Sequence, residues 1–293
     1  MKGKWRKVAI AVLAVILLIG LGGMIYTRVE SNVAKSEYNE ALQIAEVPDF
    51  KSQVSPSYNS TSAENAEEQQ REDTQSNDKI IEDPSVPADE KPQITVSSPE
   101  ELYMQDLSEM DISALKEENK DVIGWIVIPD TTISYPILQG EDNQYYLKHT
   151  WKKKWNTAGA IFLDYRNNAT FEDFNTIIYG HRRKDQTMFS PLLNYKEQEY
   201  ANTNQYVYVV TEDKVYQYAI FSAHYDSTSG SSWRLGLNSV NGKQAYIDYC
   251  LEKSLIDGLV LPTAEDKILT LSTCSGLGDD TIRFVVHGVL INN

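Results

Sequence analysis

The sequence predicts a mainly β fold, a closed or nearly closed barrel of about eight strands. From residue 122 onwards the chain carries short runs rich in β-branched and aromatic residues, each bounded by turn residues. Few segments have helical spacing, and many short strands with few helices are typical of a barrel. The predicted strands are Val122–Ile128, Ile133–Leu138, Gly159–Tyr165, Thr176–Tyr179, Tyr206–Val210, Val215–Phe221, Lys267–Ser272 and Ile282–Ile291.

Helices are predicted before the first strand and before the seventh. Ser98 is a candidate N-cap, Pro99 suits the first helical turn, and Glu101 completes a capping box. The apolar residues that indicate one or two amphipathic helices after this point are Leu102, Leu107, Met110 and Leu115. A later helix is predicted over Gln244–Ile256, with an apolar face formed by Tyr246, Ile247, Cys250 and Leu251.

The first 28 residues predict a cytoplasmic basic tail and a transmembrane signal anchor. Four basic residues precede an uncharged run from Val8 to Tyr26, which as a helix is about 28 Å long. Positive charges at the N-terminus are retained in the cytoplasm, so the rest of the chain is expected outside the cell membrane. A cleavable signal peptide is the alternative, but its apolar region is usually shorter and ends at a small-x-small site.

Residues 29–98 are predicted to be an acidic, largely disordered extracytoplasmic linker, and residues 99–293 one folded domain. Residues 29–50 carry five acids and one base, and they suit either a short helix or a stalk. Residues 51–98 hold ten acids and four bases and lack Trp and Phe, so they bury too little apolar surface to fold. The formal charge of −15 over the 293 residues argues against a nucleic-acid partner, because binding to phosphates normally needs a basic surface.

Cysteine usage points to one reactive thiol. Two cysteines exclude a disulfide-dense scaffold and a cysteine-based zinc cluster. Cys274 follows a predicted strand and precedes a glycine-containing loop, a position where a substrate reaches a nucleophile; a small buried apolar residue is the alternative interpretation. Cys250 lies on the apolar face of a predicted helix and is expected to be structural. A disulfide between the two is the remaining alternative outside the cell.

His181 and Arg283 are candidate partners of this thiol. His181 follows a predicted strand through Gly180, so it holds the same kind of strand-end position as Cys274. The alternative is that His181 takes no part in catalysis. Arg283 comes nine residues after Cys274, where a guanidinium could donate to the oxyanion of a tetrahedral intermediate; an outward-facing arginine paired with an acid is the alternative.

Taken together, these segments resemble the sortases, and within them class B. The resemblance rests on Thr270-Leu-Ser-Thr-Cys274, an arginine on the next strand, and Ile178-Tyr-Gly-His181. It extends over about residues 99–293, through Gly124–Pro129, Tyr135–Gly140, Asp142–Leu147 and Ile161–Asn167. The resemblance implies a sortase-type barrel with N-terminal helices and a further helix before the cysteine strand.

The resemblance also implies a mechanism and partners. It implies a cysteine transpeptidase on the outer face of a Gram-positive cell membrane, needing neither cofactor nor metal. Cys274 would attack the carbonyl of a Thr in the C-terminal sorting signal of a surface protein, forming a thioester. His181 would transfer protons and Arg283 would hold the substrate backbone and oxyanion. The acceptor would be an amine of a peptidoglycan precursor, lipid II, or a pilin lysine. The residues that match substrate-groove positions are Asn143, Leu147, Tyr179, Ser272 and Thr273.

Three alternatives remain at this point. A transpeptidase of the same family that polymerises pilins would differ only in its acceptor. Another extracytoplasmic Cys/His cell-wall hydrolase would share the nucleophile, although the S-H-G-C-x-R context of L,D-transpeptidases is absent. A non-enzymatic surface module on a stalk would make no use of Cys274.

Overall fold

A computed structural model describes residues 2–48, 99–276 and 278–292, and the side chains of all of these except residues 2–11, 14 and 99–101. The helices of the described residues are α1 (Lys2–Ile44), α2 (Pro99–Ser108), α3 (Ile112–Glu118), α4 (Gln198–Thr203) and α5 (Val240–Lys253). The strands are β1 (Val122–Val127), β2 (Ser134–Leu138), β3 (Ile161–Leu163), β4 (Asn175–Tyr179), β5 (Tyr206–Val210), β6 (Val215–Ser227), β7 (Ile268–Cys274) and β8 (Ile282–Asn292).

The eight strands form a closed barrel in the order β1-β2-β3-β4-β7-β8-β6-β5, which confirms the predicted fold class. Neighbours are antiparallel except β2 with β3 and β4 with β7, which run parallel. The parallel pair β4–β7 brings together segments that are far apart in the sequence. Because parallel strands end at the same edge of a sheet, the residues that follow β4 and β7 lie close together.

β3 and β6 differ most in length from the prediction. β3 begins at Ile161 instead of Gly159, because Gly159 has a positive φ of 61° and belongs to the preceding turn. β6 continues to Ser227, because it pairs with β8 as far as the pair Ser227 and Ile282. The longer β6 carries its last residues up to the edge where β8 begins.

The predicted helices are confirmed in outline. In the α2–α3 region Leu107, Met110 and Leu115 are buried against the barrel, whereas Leu102 is exposed and was wrongly expected inside. α5 begins four residues earlier than predicted, because the Ser239 hydroxyl accepts from the backbone N–H of Gly242 and caps it. Its buried face is the predicted one: Tyr246, Ile247 and Cys250, with Leu251 partly buried.

The C-terminal part of α1 packs on the barrel, so residues 29–44, which by sequence suit either a short helix or a stalk, form a helix. Tyr38, Ala41 and Ala45 are buried, and the Trp151 indole donates to the Glu37 carbonyl oxygen at 2.9 Å. These apolar residues lie on one face of the helix, which is why this segment docks instead of forming a free stalk. Residues 49–98, including the candidate N-cap Ser98, lie outside the described residues, and the boundaries at 28 and 98 stay predictions.

The predicted membrane-spanning run Val8–Tyr26 belongs to α1. The side chains of residues 8–11 and 14 in this run lie outside the described ones. Within the part of the chain that the structure describes, no helix combines the length and the apolar character needed to cross a membrane.

Candidate active site

The three residues predicted to carry chemistry lie at one edge of the barrel, His181 just beyond the end of β4, Cys274 at the end of β7 and Arg283 near the start of β8. β4 and β7 run parallel, with Tyr179 paired to Ser272. His181 and Cys274 each lie two residues beyond that pair, so they occupy the same level of the barrel. Cys274 is also paired with Arg283 across the β7–β8 ladder. β7 lies between β4 and β8 in the barrel. Because neighbouring strands are about 4.8 Å apart, the three residues lie side by side.

These residues line a cleft of about 540 Å³, a volume within the usual range of ligand sites. The five predicted substrate-binding residues line the same cleft: Asn143, Leu147, Tyr179, Ser272 and Thr273. Among the described residues, the further lining positions that sequence reasoning missed are Phe162, Arg166, Gly180, Thr228 and Trp233. All eight predicted site residues are therefore brought together in one place.

The two cysteines have different environments. Cys274 is the last residue of β7 and is half-buried in the cleft, whereas Cys250 lies on the inner face of α5 and is fully buried. Both are free, so the alternative of a disulfide between them is excluded. Burial raises the pKa of the Cys250 thiol to about 12, which keeps it protonated and unreactive. Cys274 is thus the thiol that a substrate in the cleft can reach.

His181 is held by a backbone acceptor. Its Nε2 donates to the Leu147 carbonyl oxygen at 2.7 Å, because a carbonyl can only accept. In the neutral ring the acceptor nitrogen is therefore Nδ1. Burial lowers the pKa of His181, and the positive charges of Arg183 and Arg283 lower it further, against the opposing effect of the Leu147 carbonyl. The imidazole is consequently neutral at neutral pH and able to accept a proton.

Arg283 is turned towards the loop that precedes it. Its Nη1 donates to the carbonyl oxygens of Asp280 at 2.6 Å and Ile282 at 3.2 Å. These two bonds hold one side of the guanidinium beside the cleft, opposite Cys274. A guanidinium has five N–H donors, so further donors are available to a group bound in the cleft.

A buried carboxylate organises the wall of the cleft beside β4. Asp164 accepts from Arg166 at 2.8 and 2.7 Å, from the Asn143 amide at 3.0 Å and from the Tyr179 hydroxyl at 3.0 Å. Burial by itself raises the pKa of Asp164, but these hydrogen bonds outweigh it and lower the pKa. Two predicted substrate-binding residues, Asn143 and Tyr179, are therefore fixed in place by one carboxylate. Asp164 and Arg166 lie inside the quoted Ile161–Asn167 motif, which was the available signal for them.

A second buried carboxylate fixes the opposite wall. Asp226, near the end of β6, accepts from the Ser232 hydroxyl at 2.6 Å and from the Tyr249 hydroxyl at 2.7 Å. These bonds tie the 227–233 loop to β6 and α5, and this loop brings Thr228 and Trp233 to the cleft. The loop is rich in Ser and Gly, which indicates a surface connection and hides this role in the sequence.

Comparison with known proteins identifies the family. The model of the Sortase domain matches residues 126–291, more than half of the chain. Sortase B of Listeria monocytogenes is 36% identical over 178 residues, which cover 60% of this chain and 72% of the relative.

Solved structures agree with this assignment. The structure of a Staphylococcus aureus sortase B–substrate complex has a TM-score of 0.59 and 34% identity, covering 62% of this chain and 84% of that one. A Sortase B complexed with Gly3 has a TM-score of 0.59 and 34% identity, covering 61% of this chain and 85% of that one. The predicted resemblance is confirmed, and the chain belongs to the sortase family of cell-wall cysteine transpeptidases, with class B sortases as its relatives.

Proposed function

We propose that this protein cleaves a C-terminal sorting signal after Thr, through a thioester on Cys274, and transfers the new carboxyl end to an amine. The observation that carries the proposal is that His181 just beyond β4, Cys274 on β7 and Arg283 on β8 line one cleft. Cysteine supplies the nucleophile, histidine supplies proton transfer, and arginine supplies fixed positive charge.

The first half of the reaction forms the thioester. Cys274 transfers its proton to the neutral imidazole of His181, and the thiolate attacks the Thr carbonyl carbon. The carbonyl electron pair moves onto oxygen, which Arg283 stabilises. When this pair returns, the C–N bond breaks, His181 protonates the departing amine, and the acyl group remains on sulfur. Because the pKa of His181 is lowered, the imidazolium that must protonate the departing amine is a minor species, and slow turnover is expected.

The second half of the reaction transfers the acyl group. An amine attacks the thioester carbonyl, His181 takes the proton that this nitrogen loses, and Cys274 leaves as the thiolate. An amide bond replaces the thioester, so the exchange conserves both atoms and charge. The proposed acceptor is the amine of a peptidoglycan precursor, lipid II. A pilin lysine is the other candidate acceptor.

The substrate side of the proposal rests on the cleft and on the relatives. We assign peptide contacts to Asn143, Leu147, Tyr179, Ser272 and Thr273, which line the cleft around Cys274. The sortase B of Staphylococcus aureus has been solved as a substrate complex, and a Sortase B has been solved with Gly3, which ends in a free amine. Proteins with a C-terminal sorting signal and an amine acceptor are therefore the proposed partners.

The location of the enzyme is part of the proposal. The basic residues before the uncharged run Val8–Tyr26 support a single membrane span, with the N-terminus in the cytoplasm and the barrel outside. Cysteine-accessibility labelling at introduced positions tests it. Labelling of a residue after Arg28, but not of a residue before Val8, by a membrane-impermeant reagent on intact cells is the expected result. Labelling on both sides would contradict it.

The reaction is tested with a library of fluorescence-quenched peptides that contain Thr before the scissile bond. Mass spectrometry of the full-length protein detects the acyl adduct. The expected result is an acyl adduct on Cys274 that an added amine such as triglycine converts to a new amide product. Cys274→Ala should abolish the adduct, whereas Cys250→Ala should retain it. If only the hydrolysed peptide formed, whichever amine was added, the enzyme would be a Cys/His hydrolase instead. If no adduct formed with any peptide, the barrel would act without this chemistry.

A further inference from the structure

The turn before β3 is clamped by helix α1. The Asn156 side-chain amide donates to the Glu30 carbonyl oxygen at 3.0 Å, and the Thr157 hydroxyl donates to the Glu30 carboxylate at 3.1 Å. Two residues further on, the Tyr38 hydroxyl donates to the Gly159 carbonyl oxygen at 2.7 Å. The Tyr38 bond is buried, so water does not compete for it.

Gly159 lies directly against His181. Its φ is 61°, and a Cβ added there would lie 2.9 Å from His181 Cδ2 and 2.9 Å from the Leu147 carbonyl oxygen. The Leu147 carbonyl is the acceptor that holds His181 Nε2. The next backbone N–H, of Ala160, donates to Tyr146 at 2.9 Å and ties the turn to the segment that carries Leu147. Gly159 therefore packs against both the imidazole and the group that orients it.

We propose that Tyr38 is a positioning residue for His181, acting through the Gly159 carbonyl and the close packing of Gly159 on the imidazole. The catalytic consequence rests on the proposed function, whereas the effect on His181 itself does not. Without the hydroxyl, the peptide that follows Gly159 is held only by the bond from the Ala160 N–H to the Tyr146 carbonyl oxygen, so the neighbour of the imidazole becomes less rigid. α1 is thus part of the active-site framework as well as a covering element of the barrel.

The hydroxyl and the ring of Tyr38 have separable roles. The ring packs edge-on against Tyr135, with centroids 5.3 Å apart, and fills space between α1 and β2. Tyr38→Phe keeps this packing and removes the donor alone. Burial raises the pKa of Tyr38, so the hydroxyl remains a donor across the working pH range.

Tyr195 provides a matched control. It is buried, and its hydroxyl donates to a backbone carbonyl, that of Asn204, at 2.7 Å. Asn204 precedes β5, which is not a neighbour of β4 in the barrel. Tyr195→Phe therefore removes the same kind of bond from a carbonyl next to β5 instead of from the Gly159 carbonyl.

The test uses the full chain with each substitution and two readouts. The first is the titration of the His181 ring followed by NMR in a Cys274→Ala background, with the signal assigned by its loss in His181→Gln. The second is kcat and KM for peptide transfer in the otherwise unchanged protein. In Tyr38→Phe the pKa of His181 should rise towards its ordinary value of about 6.5 as the site loosens. kcat should fall about tenfold, which is less than the roughly 100-fold loss expected when a catalytic group is displaced by about 1 Å. KM should stay within about twofold of its original value.

The outcomes separate the two proposals. An unchanged His181 titration in Tyr38→Phe would overturn the positioning role, as would equal changes in Tyr38→Phe and Tyr195→Phe. If the unaltered chain showed no peptide transfer, the proposed function would fail, while the titration would still decide the role of Tyr38. Circular dichroism of each variant confirms that the barrel remains folded.

Discussion

Cys274 and Arg283 face each other as a registered pair on the antiparallel strands β7 and β8. The loop between them turns so that the guanidinium lies beside the strand end that carries the thiol. Its Nη1 is occupied by two backbone carbonyls, which leaves other donors directed by a fixed geometry. In the proposed reaction negative charge develops on the carbonyl oxygen that Cys274 attacks, and this pairing puts a permanent positive charge on the adjacent strand.

Arg283→Lys tests whether this geometry matters beyond charge. Lysine keeps the charge but has no planar fork, so it cannot bond the loop carbonyls and an oxyanion together. We expect kcat to fall by about 100-fold or more, the usual loss on removal of an oxyanion donor, with the fold intact. Stopped-flow or steady-state peptide transfer measures the change. Arg234→Lys, on an exposed side chain outside the cleft, is the control, and equal kcat in both variants would refute the role of Arg283.

Asp164→Asn tests the carboxylate that fixes Asn143 and Tyr179. The substitution keeps the shape but removes the charge that binds Arg166, so we expect higher KM from a loosened cleft wall. The free energy of unfolding should fall by about 1–3 kcal/mol. The loss should lie towards the lower end of this range, because Arg166 is half exposed and water screens its ion pair with Asp164. Urea unfolding and peptide kinetics measure the two effects. Asp213→Asn, at an exposed carboxylate in the hairpin between β5 and β6 and outside the cleft, is the matched control.

The pH dependence of that stability follows from the lowered pKa of Asp164. A carboxyl with a lower pKa in the folded state than in the unfolded state stabilises the fold above its unfolded pKa, about 3.9. The contribution is lost as the pH falls through the folded pKa. The stability difference between the unaltered protein and Asp164→Asn should therefore be constant from pH 5 to 7 and shrink below about pH 4. A difference that grew on acidification would contradict this assignment.

The row of site residues could be predicted from the sequence, because the three residues occur at strand ends inside short, specific motifs. The pairing of β4 with β7 is a long-range contact, and local patterns do not specify it; here the resemblance supplied what periodicity lacks. The cleft residues Thr228 and Trp233 were missed, because Asp226 draws in a loop whose composition is that of an exposed connection.

The docking of α1 was also missed, although a signal existed. Ala34, Tyr38, Ala41 and Ala45 are spaced as one face of a helix. Alanine adds little to the hydrophobicity of this face, and the five acids in residues 29–50 make the overall composition typical of a solvated segment. The partners of this face, Tyr135 and Trp151, belong to a distant part of the chain, so the burial cannot be predicted locally.

Arg183→Gln tests the electrostatic control of His181. Protonation of His181 while Cys274 is still a thiol removes the proton acceptor, so kcat/KM falls on the acid side with the pKa of His181. Burial and the charges of Arg183 and Arg283 lower this pKa, so the acid limb should lie below pH 6.5. Removing the Arg183 charge should move the limb to higher pH. Lys184→Gln removes the same charge from the neighbouring exposed residue, and an equal displacement there would mean that net charge alone is responsible.

Two N-terminal deletions test the contribution of α1 to the enzyme. A chain of residues 29–293 keeps the docked part of the helix, whereas a chain of residues 49–293 loses the buried Tyr38, Ala41 and Ala45. The longer chain should match the melting temperature of the full protein. The shorter chain should melt at least about 4 °C lower, because burial of such side chains contributes about 2–4 kcal/mol and each kcal/mol corresponds to about 2–4 °C in a domain of this size.

The same two chains separate stability from catalysis. At a temperature where both are folded by circular dichroism, residues 49–293 should still have lower kcat, because the Gly159 carbonyl has lost its Tyr38 donor. The 29–293 chain should retain full kcat. Equal melting temperatures and equal kcat for the two chains would mean that the packing of α1 on the barrel has no energetic weight, and would remove the helix from the active-site framework.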